Sequence, residues 1–338
     1  MIAERPITAH DTTEERASLG RIQSSIKDRL DAVTEDMIAA VSHDAPLVAQ
    51  IGAHLMTMRG KMFRPTLVLL CSSVEDKPEP RAIELAAAVE LIHLATLVHD
   101  DAVDHSVLRR GMPTLNSLFS HQISVIMGDF LYSTALTKLV SLGDLDALRS
   151  LTRASTEMTV GEMRQLAVQD ALSFNEDDYY ALIGSKTASL ISAACEIGSI
   201  AGAQNHKREL AEYGTALGMA FQIADDLIDY TEEKETTGKP SGLDLREHKV
   251  TLPLIHAMRV MGGSDRRKVE SLFANSEPGD AQVRDVINIV TDNGGLDYAR
   301  ERGSLFAQQA REALANVPAT VARTALIESI SYVMERHA

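Results

Sequence analysis

Alternating Val/Ile/Thr runs bounded by turn pairs, the mark of strands, are essentially missing from this chain. Pro and Gly punctuate long Ala- and Leu-rich segments instead, and apolar residues recur at three- and four-residue steps, the helical period. After Pro78-Glu79-Pro80, the run from Ala82 to about Asp104 repeats Leu85, Val89, Ile92 and Thr96 at those steps. It predicts a helix about 35 Å long at 1.5 Å per residue, with Pro80 suited to the first turn. Ser173-Phe174-Asn175-Glu176 reads as a capping box that opens a segment through Ile183, Leu190, Ile191 and Ile197, stopping near Gly202. A third segment runs from Lys207 to about Tyr230 with Leu210, Leu217, Phe221 and Ala224.

The fold class is therefore all-α. A length of 338 residues, at roughly 150 per domain, would suggest two domains. No stretch has the composition of a linker, so the expectation is one helical-bundle domain over 16–338 with a mobile tail over 1–15. Thr231 to Lys249 is the least helical stretch, polar and broken by Gly238, Pro240 and Gly242. A loop of that length inside a compact domain is usually functional or disordered.

Charge narrows the function classes. Lys and Arg number 33 against 48 Asp and Glu, a net −15, which argues against a nucleic-acid partner. The N-terminus lacks the apolar core of a secretory signal, and no apolar stretch reaches the roughly 18 residues that span a bilayer. A cytoplasmic protein with no integral membrane segment is expected. Cys71 and Cys195, the only cysteines, read as reduced core residues rather than a disulfide.

Two acidic motifs stand out. Asp100, Asp101 and Asp104 form a DDxxD at the end of one apolar helical run; Asp225, Asp226 and Asp229 form a second at the end of another. Positions i and i+4 share a helix face, so Asp100 and Asp104 point together, as do Asp225 and Asp229. One such motif is as well explained as the wet end of a helix. Acids are disfavoured at a helix C-terminus by the macrodipole, however, and two copies on separate apolar helices point to metal binding. Oxygen-only clusters select hard cations, and Mg²⁺ typically bridges a few carboxylates to substrate phosphates. His99 and His105 flank the first motif without a second spaced pair, so zinc is not indicated.

Cations accompany the acids: Lys61 and Arg64 in GKMFRP, Arg109 and Arg110 after the first motif, Lys186 beside Thr187 in SKTASL, and Lys239 and Lys249 around the polar loop. Taken singly, each fits an ordinary surface cation. Lys186 differs, because Ile183, Leu190 and Ile191 around it have the pattern of buried residues, and a buried ammonium needs an anionic partner. Acid clusters and cations together, in a net-acidic chain, suggest a site for two diphosphates, which Arg grips bidentately and Lys as a point charge.

In order, the motifs are GKxxRP, IHxxxLxHDDxxDxxxxRRG, KTA, FQxxDDxxD, and a GK-containing loop closing on KxTLP. As an ordered set over roughly Ile22 to the C-terminus, the chain resembles the polyprenyl synthetases, trans-isoprenyl diphosphate synthases of the all-helical isoprenoid synthase fold. The resemblance implies head-to-tail addition of isopentenyl diphosphate to an allylic diphosphate, farnesyl or geranylgeranyl, with three Mg²⁺ ions. By that resemblance Asp100, Asp101 and Asp104 are ligands for two ions, and Asp225, with Asp226 and Asp229 in the same motif, serves the third. Lys186, Lys239, Lys249 and Arg109 correspond to the allylic diphosphate site. Lys61, Arg64, His93 and Arg110 correspond to the isopentenyl diphosphate pocket, and Thr187 and Gln222 to the polar groups near the allylic cation. Met62 and His248 depart from the commonest pattern, where a basic residue and Gly are frequent. A homodimer is implied by the family alone, and the polar loop is expected to close over the site.

Product length should follow the residues below the first motif. Ala95 and Thr96 are small where short-chain relatives carry aromatics, and the motif lacks the insertion of many bacterial short-chain enzymes. Both features resemble long-chain synthases that make quinone side chains, although Tyr132 or Leu136 on a facing helix could instead set the floor. The alternatives are a geranylgeranyl- or farnesyl-length product, a non-catalytic partner subunit, and a terpene cyclase. A partner subunit would be expected to lose acids or cations that this chain keeps. A cyclase needs no isopentenyl pocket.

Overall fold

The computed structural model describes residues 18–58, 60–109, 111–167, 170–231 and 242–335. Its architecture is the expected all-α one. The main helices are α1 (Phe63–Ser72), α2 (Ala82–Val103), α3 (His121–Leu142), α4 (Leu145–Leu166), α5 (Glu176–Ile183), α6 (Ser189–Ile200), α7 (Lys207–Thr231), α8 (Leu252–Val260), α9 (Gly295–Ala313) and α10 (Val321–Met334). The described residues also contain a minimal antiparallel hairpin, Leu108–Arg109 against Met112–Pro113, just after the first acidic motif.

Element ends follow local chemistry with two corrections. Pro80 stands just before the first turn of α2, where its carbonyl accepts from Ile83 N–H at 3.2 Å; Arg81 is the N-cap. The capping box of α5 is real but belongs to Asn175, whose side chain accepts from Asp177 and Asp178 while Asp178 reaches back to the Asn175 N–H. Ser173 ends a short 3₁₀ turn instead. A carboxamide one residue before the helix matches the two orphan N–H groups better than a hydroxyl three residues upstream.

Two apolar clusters hold the bundle. One contains Leu67 and Leu70 of α1, Leu85, Leu91 and Ile92 of α2, Leu131 of α3 and Ile191 of α6. The other contains Tyr179 of α5, Leu254 of α8 and Leu296 of α9. Helix α7 supplies Leu210 and Leu217 to the first and Ile223 and Leu227 to the second. One rigid helix therefore joins the two cores, and each fully buried Leu or Ile adds about 1.5–3 kcal/mol.

The expectation that no apolar stretch reaches membrane-spanning length does not hold: α2 and α3 are both long and apolar enough by composition. They pack against each other. Helix α2 is apolar on nearly every side because it is surrounded by protein, with Ala82, Leu85, Ala88, Leu91 and Ile92 at zero exposure. Helix α3 leaves Ile126 and Val140 about two-thirds exposed, at 66% and 64%.

Candidate active site

The two acidic motifs meet at one cavity of about 860 Å³, which Asp100, Asp104 and Arg109 line together with Lys186, Thr187, Gln222, Asp225, Asp226, Asp229 and Lys249. Asp100 lies in the last turn of α2, and Asp104, its C-cap, donates its N–H to the Asp100 carbonyl at 2.8 Å. Burial raises the Asp100 carboxyl to about 6; Lys186 and Arg109 pull it down, while Glu162 and Asp104 push it further up.

Asp101 is placed differently. It is buried and outside the cavity lining. Arg109 Nε donates to both of its oxygens at 2.9 Å, and Nη2 approaches Oδ1 at 2.8 Å. A clamped carboxylate of this kind fixes the loop that follows α2 and aims Arg109 at the cavity.

In the second motif, Asp226 accepts from Tyr179 Oη at 2.6 Å on Oδ2 and from Gln222 Nε2 at 2.8 Å on Oδ1. Burial pushes this carboxyl up and Asp244 adds to that, against the two hydrogen bonds. Asp229 accepts the backbone N–H groups of Leu243 and Asp244 on its two oxygens, both at 3.0 Å. It thereby caps the short helical turn Leu243–Arg246 from across the chain. Asp225 faces the cavity.

Lys186 and Thr187 sit in a π-helical turn, Gly184–Ala188, between α5 and α6. The wider turn inserts a residue into the helix, and both side chains reach the cavity. Two glycines make room for it. A Cβ at Gly161 would stand 2.8 Å from Ser185 Cβ, and one at Gly218 would stand 2.5 Å from Ala188 Cα. Lys186 Nζ pairs with Glu162 at 2.6 Å and donates to Gln165 at 3.4 Å. Thr187 Oγ1 donates to Gln222 Oε1 at 2.8 Å.

Lys249 feels acids from both motifs' surroundings. Burial works against its charge, but Glu247 at 2.6 Å, with Asp244 and Asp104, outweighs burial and raises its pKa.

The remaining expected residues are distributed around this centre. Lys61, Arg64 and His93 do not border the cavity. Lys61 Nζ lies 5.8 Å over the Tyr332 ring, and Phe63 stacks on Phe221, next to Gln222, at 6.0 Å. Arg110, Lys239, the tail over 1–15 and most of the polar loop lie outside the described residues. Ala95, Thr96, Tyr132 and Leu136 do not border the cavity either; Ala95 has no exposure, and the Thr96 hydroxyl is turned onto the His93 carbonyl at 2.8 Å.

Among the lining residues not singled out from sequence are Glu162, Tyr179, Asp244 and Glu247. Asp244 is the most telling, because burial and Asp229 raise its carboxyl to about 7. Its place in the polar loop, beside two acid motifs, was the signal available. Glu162 and Tyr179 gave none, since only the packing of α4 and α5 brings them to Lys186 and Asp226.

A family model described as polyprenyl synthetase matches residues 45–290. The chain belongs to the polyprenyl synthetase family. Within the family it stands among the long-chain trans-isoprenyl diphosphate synthases. It is 37% identical over 88% of its length to the all-trans-nonaprenyl-diphosphate synthase (geranyl-diphosphate specific) of Rhodobacter capsulatus, covering 91% of that protein. It is 34% identical to the octaprenyl diphosphate synthase of Escherichia coli, with 92% and 96% covered. The polyprenyl synthase of Caulobacter crescentus CB15, solved with calcium and isoprenyl diphosphate, superposes with a TM-score of 0.90 at 34% identity, over 96% of this chain and 100% of that one. The chain thus has the polyprenyl synthetase fold and prenyl diphosphate synthase activity.

Proposed function

We propose that this polyprenyl synthetase condenses isopentenyl diphosphate head to tail with farnesyl or geranylgeranyl diphosphate. The product is a long-chain all-trans polyprenyl diphosphate, a precursor of quinone side chains. The observation that carries this is one cavity lined by acids from two helices, Asp100 and Asp104 from α2 and Asp225 from α7, with Lys186 and Arg109 among them.

Mg²⁺ fits these donors. The acids are oxygen-only, which suits a hard cation, and burial, with neighbouring acids adding to it, raises the carboxyls to about 6 at Asp100 and about 7 at Asp244, so that a bound cation would favour their ionised form. Three ions are proposed, two at Asp100 and Asp104 and a third at Asp225 with Asp229. Asp101 and Asp226 hold Arg109 and Gln222 instead. When bound, Mg²⁺ supplies charge that favours departure of the diphosphate.

Lys186, Arg109, Lys239 and Lys249 bind the allylic diphosphate, and Lys186 exchanges Glu162 for the leaving group as negative charge grows there. Lys61, Arg64, His93 and Arg110 hold isopentenyl diphosphate so that its double bond faces the allylic carbon. Thr187 and Gln222 face the positive charge that ionisation leaves, and the departed diphosphate accepts the final proton. Ala95, Thr96, Tyr132 and Leu136 limit the product. Ala95→Phe should shorten it, and an unchanged product would remove that wall from consideration.

The exposed apolar residues Val125, Ile126 and Val140 of α3 support a homodimer that would cover them, which light scattering would test. The deciding assay gives purified protein Mg²⁺, labelled isopentenyl diphosphate and farnesyl diphosphate beside an Asp100→Ala control. Long products that vanish in the control are expected. Products ending near twenty carbons would overturn the length class, and no product would point to a requirement for a second subunit.

A further inference from the structure

Tyr179 borders the cavity, and its phenol proton takes no part in the prenyl-transfer steps above. Its ring is 1% exposed, and its phenol donates to Asp226 Oδ2 at 2.6 Å. Asp226, 7% exposed, takes Gln222 Nε2–H on its other oxygen at 2.8 Å, and Gln222 Oε1 in turn takes the Thr187 hydroxyl proton at 2.8 Å. The four side chains come from α5, the π-turn and α7, and all border the cavity.

The direction of each bond is fixed by what the groups can offer. With the phenol on Oδ2, Asp226 Oδ1 acts as an acceptor whichever partner carries the shared proton. The amide nitrogen of Gln222, its donor end, must therefore face Asp226. In the structure it does, at 2.8 Å from Oδ1. The amide oxygen then faces Thr187 and captures its single hydroxyl hydrogen. What Thr187 presents elsewhere is lone-pair density.

Resting on the prenyl-transfer reading, we infer that Tyr179 is a positioning residue that, through Asp226 and Gln222, holds the Thr187 hydroxyl with its lone pairs toward the allylic carbon. An unrestrained hydroxyl samples rotors that put its hydrogen, a positive end, where positive charge develops. Fixed dipoles avoid that reorganisation at the moment of reaction. The same network gives the middle Asp of the second triplet a task that its two neighbours do not share.

The test is a double-mutant cycle on kcat with Tyr179→Phe and Thr187→Val, at saturating Mg²⁺, farnesyl diphosphate and isopentenyl diphosphate. Tyr179→Phe is expected to lower kcat about tenfold with both KM values and the half-saturating Mg²⁺ concentration unchanged. In the Thr187→Val background it should cost nothing further, because the hydroxyl it positions is gone. Losses that multiply would overturn the inference, as would a lowered melting temperature with unchanged kcat. A shifted Mg²⁺ requirement would also overturn it, by placing Asp226 with the ions. Should Tyr179→Phe not fold, Gln222→Met breaks the same relay and must show the same non-additivity with Thr187→Val. The unsubstituted chain separates the two failures: without prenyl product the reading of the site falls and this inference with it, whereas with product and multiplying losses only the inference falls.

Discussion

The two DDxxD triplets are spelled alike and built differently. Asp100, Asp101 and Asp104 occupy the C-terminal end of α2, where Asp104 has already left the helix as its C-cap. Asp225, Asp226 and Asp229 lie within the last two turns of α7, which ends at Thr231. In the first triplet the middle acid is tied by a cation, Arg109. In the second it is tied by neutral donors, Tyr179 and Gln222. A charged clamp at Asp101 anchors a loop, whereas neutral donors leave Asp226 to orient a polar relay. The outer acids border the cavity in both triplets, and of the middle acids Asp226 borders it as well while Asp101 does not, so the repeated pattern specifies the shared face and each middle letter takes a local partner.

The sharpest way to break that comparison is by activity. Asp100→Asn and Asp225→Asn should each lower kcat by about 10²–10³-fold, measured by incorporation of labelled isopentenyl units. If Asp101→Asn matched them while Arg109 remained in place, the division between outer and middle acids would fail. Next in size is Gly218→Ala, which drives a methyl against the Ala188 backbone beneath the π-turn. It should cost about 1–3 kcal/mol of stability and lower activity with it, read by urea denaturation beside a radiochemical assay. Arg109→Leu strands the buried Asp101 carboxylate and should cost about 2 kcal/mol, whereas Tyr179→Phe should cost less because Asp226 keeps Gln222.

Smallest is the pH dependence of the metal-free protein. Asp244 rises from about 3.8 unfolded to about 7 folded, and Asp100 to about 6. A raised carboxyl gives stability that is complete below its unfolded pKa and lost as pH rises through the folded one. Melting temperature without metal should therefore fall as pH rises from about 4.5 to about 7, and Asp244→Asn should flatten the slope. Glu176 and Glu196, whose pKa values are lowered by hydrogen bonds and cations despite burial, lose their contribution only as pH falls below about 4.5, outside that window. Saturating Mg²⁺ should reverse the slope, because protons then compete with the ions.

Helical class, the reach of α2 and α7, and both acid triplets were legible because each depends on residues close in sequence. Periodicity fixes the helix, and i, i+4 spacing fixes the shared face. The π-turn was not legible: SKTASL reads as ordinary helix, and the extra residue is accommodated only because Gly161 and Gly218 on two other helices give it space. Nor were the different partners of Asp101 and Asp226 legible, although Arg109 lies only eight residues from Asp101.

By itself, then, the sequence determined an all-helical chain carrying two acidic triplets on helix faces, with basic residues placed after them. Tertiary structure alone decided which acids face the cavity, which are consumed as anchors, and that Glu162, Tyr179 and Asp244 belong to the site. The physical reason is range. Helix propensity and face are set within a turn or two, whereas burial, hydrogen-bond partner and pKa depend on neighbours as distant in sequence as Tyr179 is from Asp226.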